Sequence, residues 1–126
     1  MSSHKLILLV EDEATLRRII ARNLVARGHR VVEADSARDA LARLNEDEPD
    51  LLLLDIYLPG RSGCDILREI RRQGQNVPAV IVSAVRLDPV RLDEFGPLSF
   101  HPKPFSLAAL PRIVAAERPK EGELVP

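Results

Sequence analysis

Five segments of the chain have the hydrophobic patterning of β-strands. Three are nearly continuous apolar runs, which are typical of parallel strands covered by helices on both faces: residues 6–10, 51–54 and 77–83. Residues 30–34 are more polar and are predicted to form an edge strand. A short last strand is predicted over residues 98–101. The pattern therefore predicts a sheet whose central strands are fully buried.

Segments with helical periodicity separate these strands. The first covers residues 14–27 and has arginines opposite its less polar stripe. That stripe consists of Leu16, Ile19, Ile20, Asn23 and Leu24. Gly28 follows in the position that commonly ends a helix. A second helix is predicted to begin after Ser36 as its N-cap and to give way to a polar loop over residues 45–50.

The second half of the chain predicts three more helices. One has its apolar face at Ile66, Leu67 and Ile70. A short helix is predicted to begin at Asp88-Pro89 and to stop at Gly96. Ser106 is predicted to cap a final helix with apolar positions at Leu107, Leu110, Ile113 and Val114. Because Pro111 falls inside it, we expect an irregular first turn or a later start.

Strand and helix signals alternate along the 126 residues. This alternation is the pattern of a doubly wound α/β fold, in which right-handed crossovers place helices on both faces of a parallel sheet. The length suits one domain, and the 45% hydrophobic content is enough for a packed core. We expect one domain over residues 1–118, followed by a tail or the start of a linker over residues 119–126.

Composition argues against several functional classes. The 18 basic residues nearly balance the 19 acidic ones, so bulk charge does not favour a nucleic-acid-binding module. Cys64 is the single cysteine, which excludes an internal disulfide. The apolar run at residues 6–10 is too short for a signal-peptide core or a membrane helix. We expect a soluble, intracellular protein that makes no direct contact with nucleic acid or membrane.

Polar side chains stand at the ends of the buried strands. Glu11 and Asp12 follow the first strand, Asp55 ends the central one, Ser83 ends the next, and Lys103 lies just beyond the last. In a parallel sheet these ends lie on one edge, where ligands of open α/β folds bind. Three neighbouring carboxylates repel one another unless a cation intervenes, and oxygen ligands suit Mg²⁺. A lysine and a hydroxyl beside them suit a phosphoryl group, with Asp55 as the nucleophile that forms an acyl phosphate.

Each of these residues also has a purely structural interpretation. Asp55 is equally suited to capping the turn that follows it, and Glu11 and Asp12 to favouring the N-terminus of the next helix. Ser83 fits a strand-end turn, and Lys103 an ordinary surface lysine. Singly, each structural interpretation is at least as strong as the functional one. Their joint placement at strand ends favours a site.

Four segments together resemble the receiver domain of two-component response regulators. They are residues 8–13 (Leu-Leu-Val-Glu-Asp-Glu), residues 54–65 around Asp55, Ser83-Ala84 and Lys103-Pro104-Phe105. The resemblance covers the chain up to about residue 117, and order, spacing and strand context all agree. It implies a flavodoxin-like five-stranded parallel sheet in the order 2-1-3-4-5 with helices on both faces.

The resemblance also implies a metal-dependent phosphorylation site. Asp55 would accept a phosphoryl group from a sensor histidine kinase or a histidine phosphotransfer protein. Mg²⁺ or Mn²⁺ would be held by Glu11 through water, by Asp12, by Asp55 and by the backbone carbonyl of Tyr57. Such a domain would be cytoplasmic and would catalyse only its own phosphorylation and dephosphorylation, so it would not be an enzyme for other substrates.

Further residues take roles by the same resemblance. Ser83 and Lys103 would contact the phosphoryl oxygens, and Phe100 would turn inward when the domain is phosphorylated. Tyr57 and Val85 would flank the site and affect hydrolysis. The bond between Lys103 and Pro104 is expected to be cis. The face formed by the fourth helix, the fifth strand and the fifth helix would then bind a downstream protein, an output domain or a second copy differently.

Several positions depart from the family pattern at this output face. The segment from Ser83 to Gly96 is about two residues shorter than usual, which predicts a stunted fourth helix. Phe100 lacks the hydroxyl of the more usual tyrosine, and His101 stands where an aliphatic residue is common. These changes leave open a pseudo-receiver that binds partners without phosphorylation.

Two other classes fit less well. An aspartate-nucleophile phosphohydrolase normally has a second acid two residues after the nucleophile, where this chain has Tyr57. A flavin-binding module of the same fold needs a first loop of hydroxyls and glycines, whereas residues 11–13 are acidic and would repel a phosphate.

Overall fold

The computed structural model describes residues 4–58, 62–84, 90, 96–97 and 99–115. A five-stranded parallel sheet in the order β2-β1-β3-β4-β5 forms its centre. The strands are β1 (Leu6–Val10), β2 (Arg30–Ala34), β3 (Leu51–Asp55), β4 (Ala79–Ser83) and β5 (Ser99–Pro102). The predicted fold class and strand order are confirmed, and β2 is an edge strand as expected.

Helices cover both faces of this sheet. They are α1 (Ala14–Ala26), α2 (Ala37–Asp47), α3 (Gly63–Arg72) and a C-terminal helix (Leu110–Ala115), which follows a 3₁₀ turn (Leu107–Ala109). Asp88 and Pro89, where the short fourth helix is predicted to begin, lie outside the described residues, as do most of its other positions and the tail over residues 119–126.

The central strand β3 is buried from end to end because each face meets a different layer. Leu52 and Leu54 join the cluster that packs under α2 and α3, whereas Leu51 and Leu53 join the one under α1 and the C-terminal helix. Alternate side chains of a strand point to opposite faces, so a run of four leucines fills both layers at once. This burial fixes where β3 ends and therefore where Asp55 stands.

The buried stripe of α1 is narrower than the sequence predicted. Ile20, Ala21 and Leu24 are buried, but Ile19 is 42% exposed. One residue along a helix is a rotation of about 100°, so Ile19 lies at the flank of the face that meets the sheet. The expectation for Ile19 was therefore wrong, and Ala21 takes its place in the core.

Helix ends follow the predicted capping residues with two corrections. Ser36 caps α2 as expected, but α2 continues to Asp47, so the loop predicted from residue 45 begins later. Ser106 caps the 3₁₀ turn, and the α-helix begins only at Leu110. Pro111 is thus near its start, where the missing N–H costs nothing, as the later-start alternative predicted. Leu107 lies in the turn and is exposed.

Candidate functional site

Strand pairing brings the predicted residues to one edge of the sheet. Asp55 pairs with Val82 across β3 and β4, which places it one position before Ser83. Ser83 in turn pairs with Pro102 across β4 and β5, and its carbonyl oxygen accepts a hydrogen bond from the backbone N–H of Lys103 at 2.9 Å. Parallel pairing thus converts positions far apart in sequence into neighbours.

Three carboxylates meet at this edge. Glu11, Asp12 and Asp55 each offer an oxygen atom, and these atoms all lie within 4.8 Å of one another. Glu11 is 3% and Asp55 5% exposed, while Asp12 is exposed to solvent. Carboxylates at this separation repel one another, and a cation between them relieves the repulsion. The three residues predicted as metal ligands through their side chains therefore lie together.

Lys103 is the cation in this cluster. Its Nζ donates to Oε1 of Glu11 at 2.5 Å and to Oδ2 of Asp55 at 3.0 Å. Burial alone would lower the pKa of Lys103, but the hydrogen bonds and the charges of the two carboxylates outweigh it and raise the pKa above its usual value. The ammonium group is therefore held charged between the two acids.

Burial works in the opposite direction on Glu11. Desolvation raises the pKa of this carboxyl group, helped by the charge of Asp55, and the hydrogen bonds from Lys103 and the backbone of Glu13 offset only part of the rise. Three acids facing one lysine leave the cluster with excess negative charge. The site is electrostatically suited to a second cation.

The turn after β3 orients the central aspartate. Oδ1 of Asp55 accepts a hydrogen bond from the backbone N–H of Tyr57 at 3.0 Å. The N–H of Gly63, at the start of α3, donates to the carbonyl oxygen of Ile56 at 2.7 Å. A side chain at position 63 would meet the Asp55 carbonyl oxygen and the Ile56 Cα at 2.7 Å. Glycine therefore lets α3 begin directly against the backbone of Asp55.

Local capping fixes the helix that follows this turn. Ser62 and Asp65 form a reciprocal capping box, in which each side chain accepts from the other residue's backbone N–H. The apolar face predicted for α3 is confirmed, because Ile66, Leu67 and Ile70 are buried. The start of α3 is therefore fixed by its own capping box.

The oxygen-rich donor set fits Mg²⁺. This ion takes carboxylates and waters in preference to nitrogen or sulfur ligands, and two of the three acids here are buried next to an exposed third. The exposure of Asp12 leaves one side open to water or substrate. Glu11, Asp12 and Asp55 would hold the ion, with the backbone carbonyl of Tyr57 as the further ligand that the resemblance implies.

The remaining predicted residues lie around this cluster. Ser83 is buried at the end of β4, and Tyr57 is exposed beside Asp55. Phe100 is half-buried and packs against the hydrophobic core under α2 and α3. The Lys103–Pro104 bond is cis, as expected. Val85 lies outside the described residues.

Two contributors to the site were not foreseen from the sequence. Arg17, on α1, donates from Nη1 to the backbone carbonyl oxygen of Glu11 at 3.0 Å. Gly63 permits the close approach of α3. The turn signal around residues 59–63 hinted at a tight connection, but no sequence pattern indicates which arginine of α1 reaches the loop.

An apolar depression adjoins the acidic cluster. It encloses about 370 Å³ between α1 and the segment after β5, and Lys103 forms part of its lining. Its apolar wall includes Leu16, Ile19, Phe105 and Leu107. Ile19 and Leu107, two of the exposed apolar side chains among the described residues, both lie here.

Comparison with known proteins identifies the family. A family model described as "Response regulator receiver domain" matches residues 7–115. The chain belongs to this family. It is 44% identical over 78 residues to the two-component response regulator PhoP of Pseudomonas aeruginosa, an alignment that covers 62% of this chain. It is 39% identical over 104 residues, 79% of this chain, to the phosphate regulon transcriptional regulatory protein PhoB of Escherichia coli.

A solved receiver domain has the same architecture. The signal receiver domain of a LuxO repressor protein from Vibrio parahaemolyticus superposes with a TM-score of 0.82 at 27% identity, covering 89% of this chain and 88% of that one. The alignments cover only 35% of PhoP and 45% of PhoB, so the chain spans less than half of these curated relatives. None of the described helices has the length and apolarity needed to cross a membrane.

Proposed function

We propose that this receiver domain accepts a phosphoryl group on Asp55 and uses it as a signal. The observation that carries the proposal is the position of Asp55, nearly buried at the end of β3 between two other acids and hydrogen-bonded to Lys103. An isolated turn-capping aspartate would need neither the acids nor the lysine. A phosphoacceptor needs both, for a metal ion and for the transferred oxygens.

The proposed reaction is a displacement at phosphorus. A carboxylate oxygen of Asp55 forms the new P–O bond as the P–N bond of a donor phosphohistidine breaks, and the electron pair returns to the donor's imidazole nitrogen. Mg²⁺, when bound by Glu11, Asp12 and Asp55, supplies positive charge to the phosphoryl oxygens. The backbone N–H of Tyr57 holds the aspartate in place through Oδ1.

Lys103 has a proposed role before and after transfer. In the resting domain it bridges Glu11 and Asp55, which places a positive charge between the two acids. After transfer its ammonium group and the Ser83 hydroxyl are the donors for the new oxygens. The added charge would favour the inward position of Phe100 and change how the face of β5 and the C-terminal helix binds a partner.

We propose a protein phosphodonor, either a sensor histidine kinase or a histidine phosphotransfer protein. The apolar depression supports this choice, because its exposed Ile19 and Leu107 line the same hollow as Lys103, which donates a hydrogen bond to Asp55. An apolar surface of this size next to an acidic site suits a protein donor, whereas a small phosphate ester needs no such surface.

Intact-protein mass spectrometry after incubation with acetyl phosphate and Mg²⁺ tests the proposal. We expect one added phosphoryl group on the wild type, none on Asp55→Asn, and none when Mg²⁺ is chelated. Asp50→Asn, an acid at the other end of β3, is the matched control and should react normally. Ile19→Glu should react with acetyl phosphate but slowly with a protein donor. No adduct on the wild type would leave a phosphorylation-independent binding module.

A further inference from the structure

Arg17 connects α1, β2 and the acidic loop. Its Nη1 donates to the carbonyl oxygen of Glu11 at 3.0 Å, and its Nε donates to Oε1 of Glu33, on β2, at 3.0 Å. The Arg17 side chain is only 15% exposed, although that of Glu33 is 40% exposed. The guanidinium group is therefore fixed at two points in a mostly buried position.

Glu11 is held at every polar group it possesses. Its N–H donates to the carbonyl oxygen of Ala34 at 3.1 Å, and its carbonyl oxygen accepts from Arg17. Its Oε2 accepts from the backbone N–H of Glu13 at 3.1 Å, and its Oε1 accepts from Lys103. The orientation of this residue is thus determined by β2, α1, its own loop and the segment after β5.

These contacts differ in whether they compete with a metal ion. Lys103 uses the carboxylate of Glu11, which is also what a cation would use. Arg17 uses the main-chain carbonyl, so its contact can persist whether the carboxylate faces Lys103 or a metal ion. Arg17 is suited to hold the loop in both states.

We propose that Arg17, fixed by Glu33, is a positioning residue for the metal-binding loop of residues 11–13. It pre-organises Glu11 and Asp12 for Mg²⁺ without touching the ion or the phosphoryl group. The inference rests on the proposed function, because it assumes that the acidic cluster binds Mg²⁺. It assigns part of the metal affinity to a contact between α1 and β2 that bears no metal ligand.

The charge of Arg17 allows positioning to be separated from electrostatics. A positive charge beside the cluster opposes the binding of a cation, so its removal alone would tighten Mg²⁺ binding. Loss of the contact between Arg17 and the Glu11 carbonyl oxygen would weaken Mg²⁺ binding. The two effects have opposite signs, and Arg17→Lys keeps the charge while losing the planar fork that reaches two acceptors at once.

Titration of the protein with Mg²⁺, followed by the NMR shifts of the Glu13 and Tyr57 amides, tests the inference. We expect Arg17→Met to weaken Mg²⁺ binding by about tenfold, with smaller losses in Arg17→Lys and Glu33→Gln. Arg43→Met removes an arginine from an exposed ion pair on α2 and should bind Mg²⁺ as the wild type does.

A second readout uses the same samples without metal. Hydrogen exchange at the Glu13 amide, which donates to Glu11, should be faster in Arg17→Met than in Arg43→Met because the loop is less ordered. If Arg17→Met fails to fold, Arg17→Lys and Glu33→Gln decide the question.

Two results would overturn the inference in distinguishable ways. If the wild type binds Mg²⁺ and the Arg17 and Glu33 variants bind it equally well or more tightly, Arg17 has no positioning role, but the proposed function stands. A wild type that binds no Mg²⁺ removes both this role and the proposed function.

Discussion

Three carboxylates lie together at the ends of β1 and β3, and one ammonium group pairs with two of them. Lys103 pairs with Glu11 and Asp55, and the third acid, Asp12, adds a like charge within 4.8 Å. Such a cluster costs stability in the absence of a metal ion, since each acid is repelled by the others. The repulsion among the acids in the metal-free domain therefore favours the binding of a cation.

Replacing the exposed acid should therefore stabilise the metal-free domain. Asp12→Asn removes one like charge while leaving the hydrogen bonds of Lys103 intact. We expect its free energy of unfolding without Mg²⁺ to rise by about 0.5 kcal/mol, as measured by urea denaturation. Added Mg²⁺ should stabilise the wild type through preferential binding to the folded state and should have little effect on this variant.

Glu46→Gln is the control for this comparison. It removes an acid from the exposed surface of α2, far from the cluster in the chain. It should change stability little and retain the response to Mg²⁺. If the Asp12 and Glu46 variants have the same free energy of unfolding without Mg²⁺, the acids of the cluster do not destabilise the metal-free domain.

The principal site residues were predictable because each stands at the end of a buried strand. Glu11, Asp55 and Ser83 are marked by the apolar runs before them, and parallel pairing makes those ends neighbours. Arg17 was not predictable, because α1 carries several arginines and only the packing of α1 beside β2 selects the one that reaches Glu11. The sequence pattern predicts where the strands end, but it does not predict which side chain of one element contacts a residue of another.

At the scale of elements, the start of α3 lies directly against the end of β3. Gly63 begins α3 within hydrogen-bonding distance of Ile56, and its missing side chain leaves room for the carbonyl group of Asp55. The helix therefore starts closer to the strand end than any other residue would allow.

A methyl group at position 63 should force the turn apart. We expect Gly63→Ala to lose about 1–3 kcal/mol of unfolding free energy in urea denaturation, because the contacting atoms belong to the backbone and cannot rotate away. Phosphorylation from acetyl phosphate should also slow, since Asp55 would shift. Gly74→Asn is the control: nothing lies within 4 Å of that position, and asparagine tolerates its φ of +73°. Wild-type stability in Gly63→Ala would show that the backbone at the end of β3 has room for a methyl group.

Element boundaries were predicted less well than element types. The predicted buried stripe of α1 wrongly included Ile19, because periodicity shows which side of a helix is apolar but not how much of that side the sheet covers. Pro111 correctly signalled an irregular start to the last helix, because its missing N–H is a local property. Local chemistry is readable from sequence, whereas the extent of burial depends on the partner surface.

At the scale of the whole molecule, two histidines link stability to pH. Burial lowers the pKa of His29, and the charges of His4 and Lys5 lower it further; Nδ1 of its ring accepts a hydrogen bond from the backbone N–H of Lys5 at 3.1 Å. Burial also lowers the pKa of His101. Both histidines are therefore easier to protonate in the unfolded chain.

Acidification should consequently weaken the fold. The contribution of each neutral histidine is complete above its ordinary pKa of 6.5 and is lost as the pH falls from there toward the lowered folded-state pKa. We expect the free energy of unfolding, measured by urea denaturation, to fall between about pH 7.5 and about pH 5.5. The fall should be smaller for His29→Gln than for the wild type. An equal decrease in both would exclude His29 as a source of this pH dependence.

Residue-level mapping of the phosphorylated protein tests whether Asp55 itself becomes the acyl phosphate. After incubation with acetyl phosphate and Mg²⁺, borohydride would reduce the acyl phosphate to homoserine, and peptide mass spectrometry would locate the change. We expect homoserine at position 55 and nowhere else, and only when Mg²⁺ is present. A reduced side chain at another aspartate or glutamate, or none despite a phosphorylated protein, would contradict Asp55 as the phosphoacceptor.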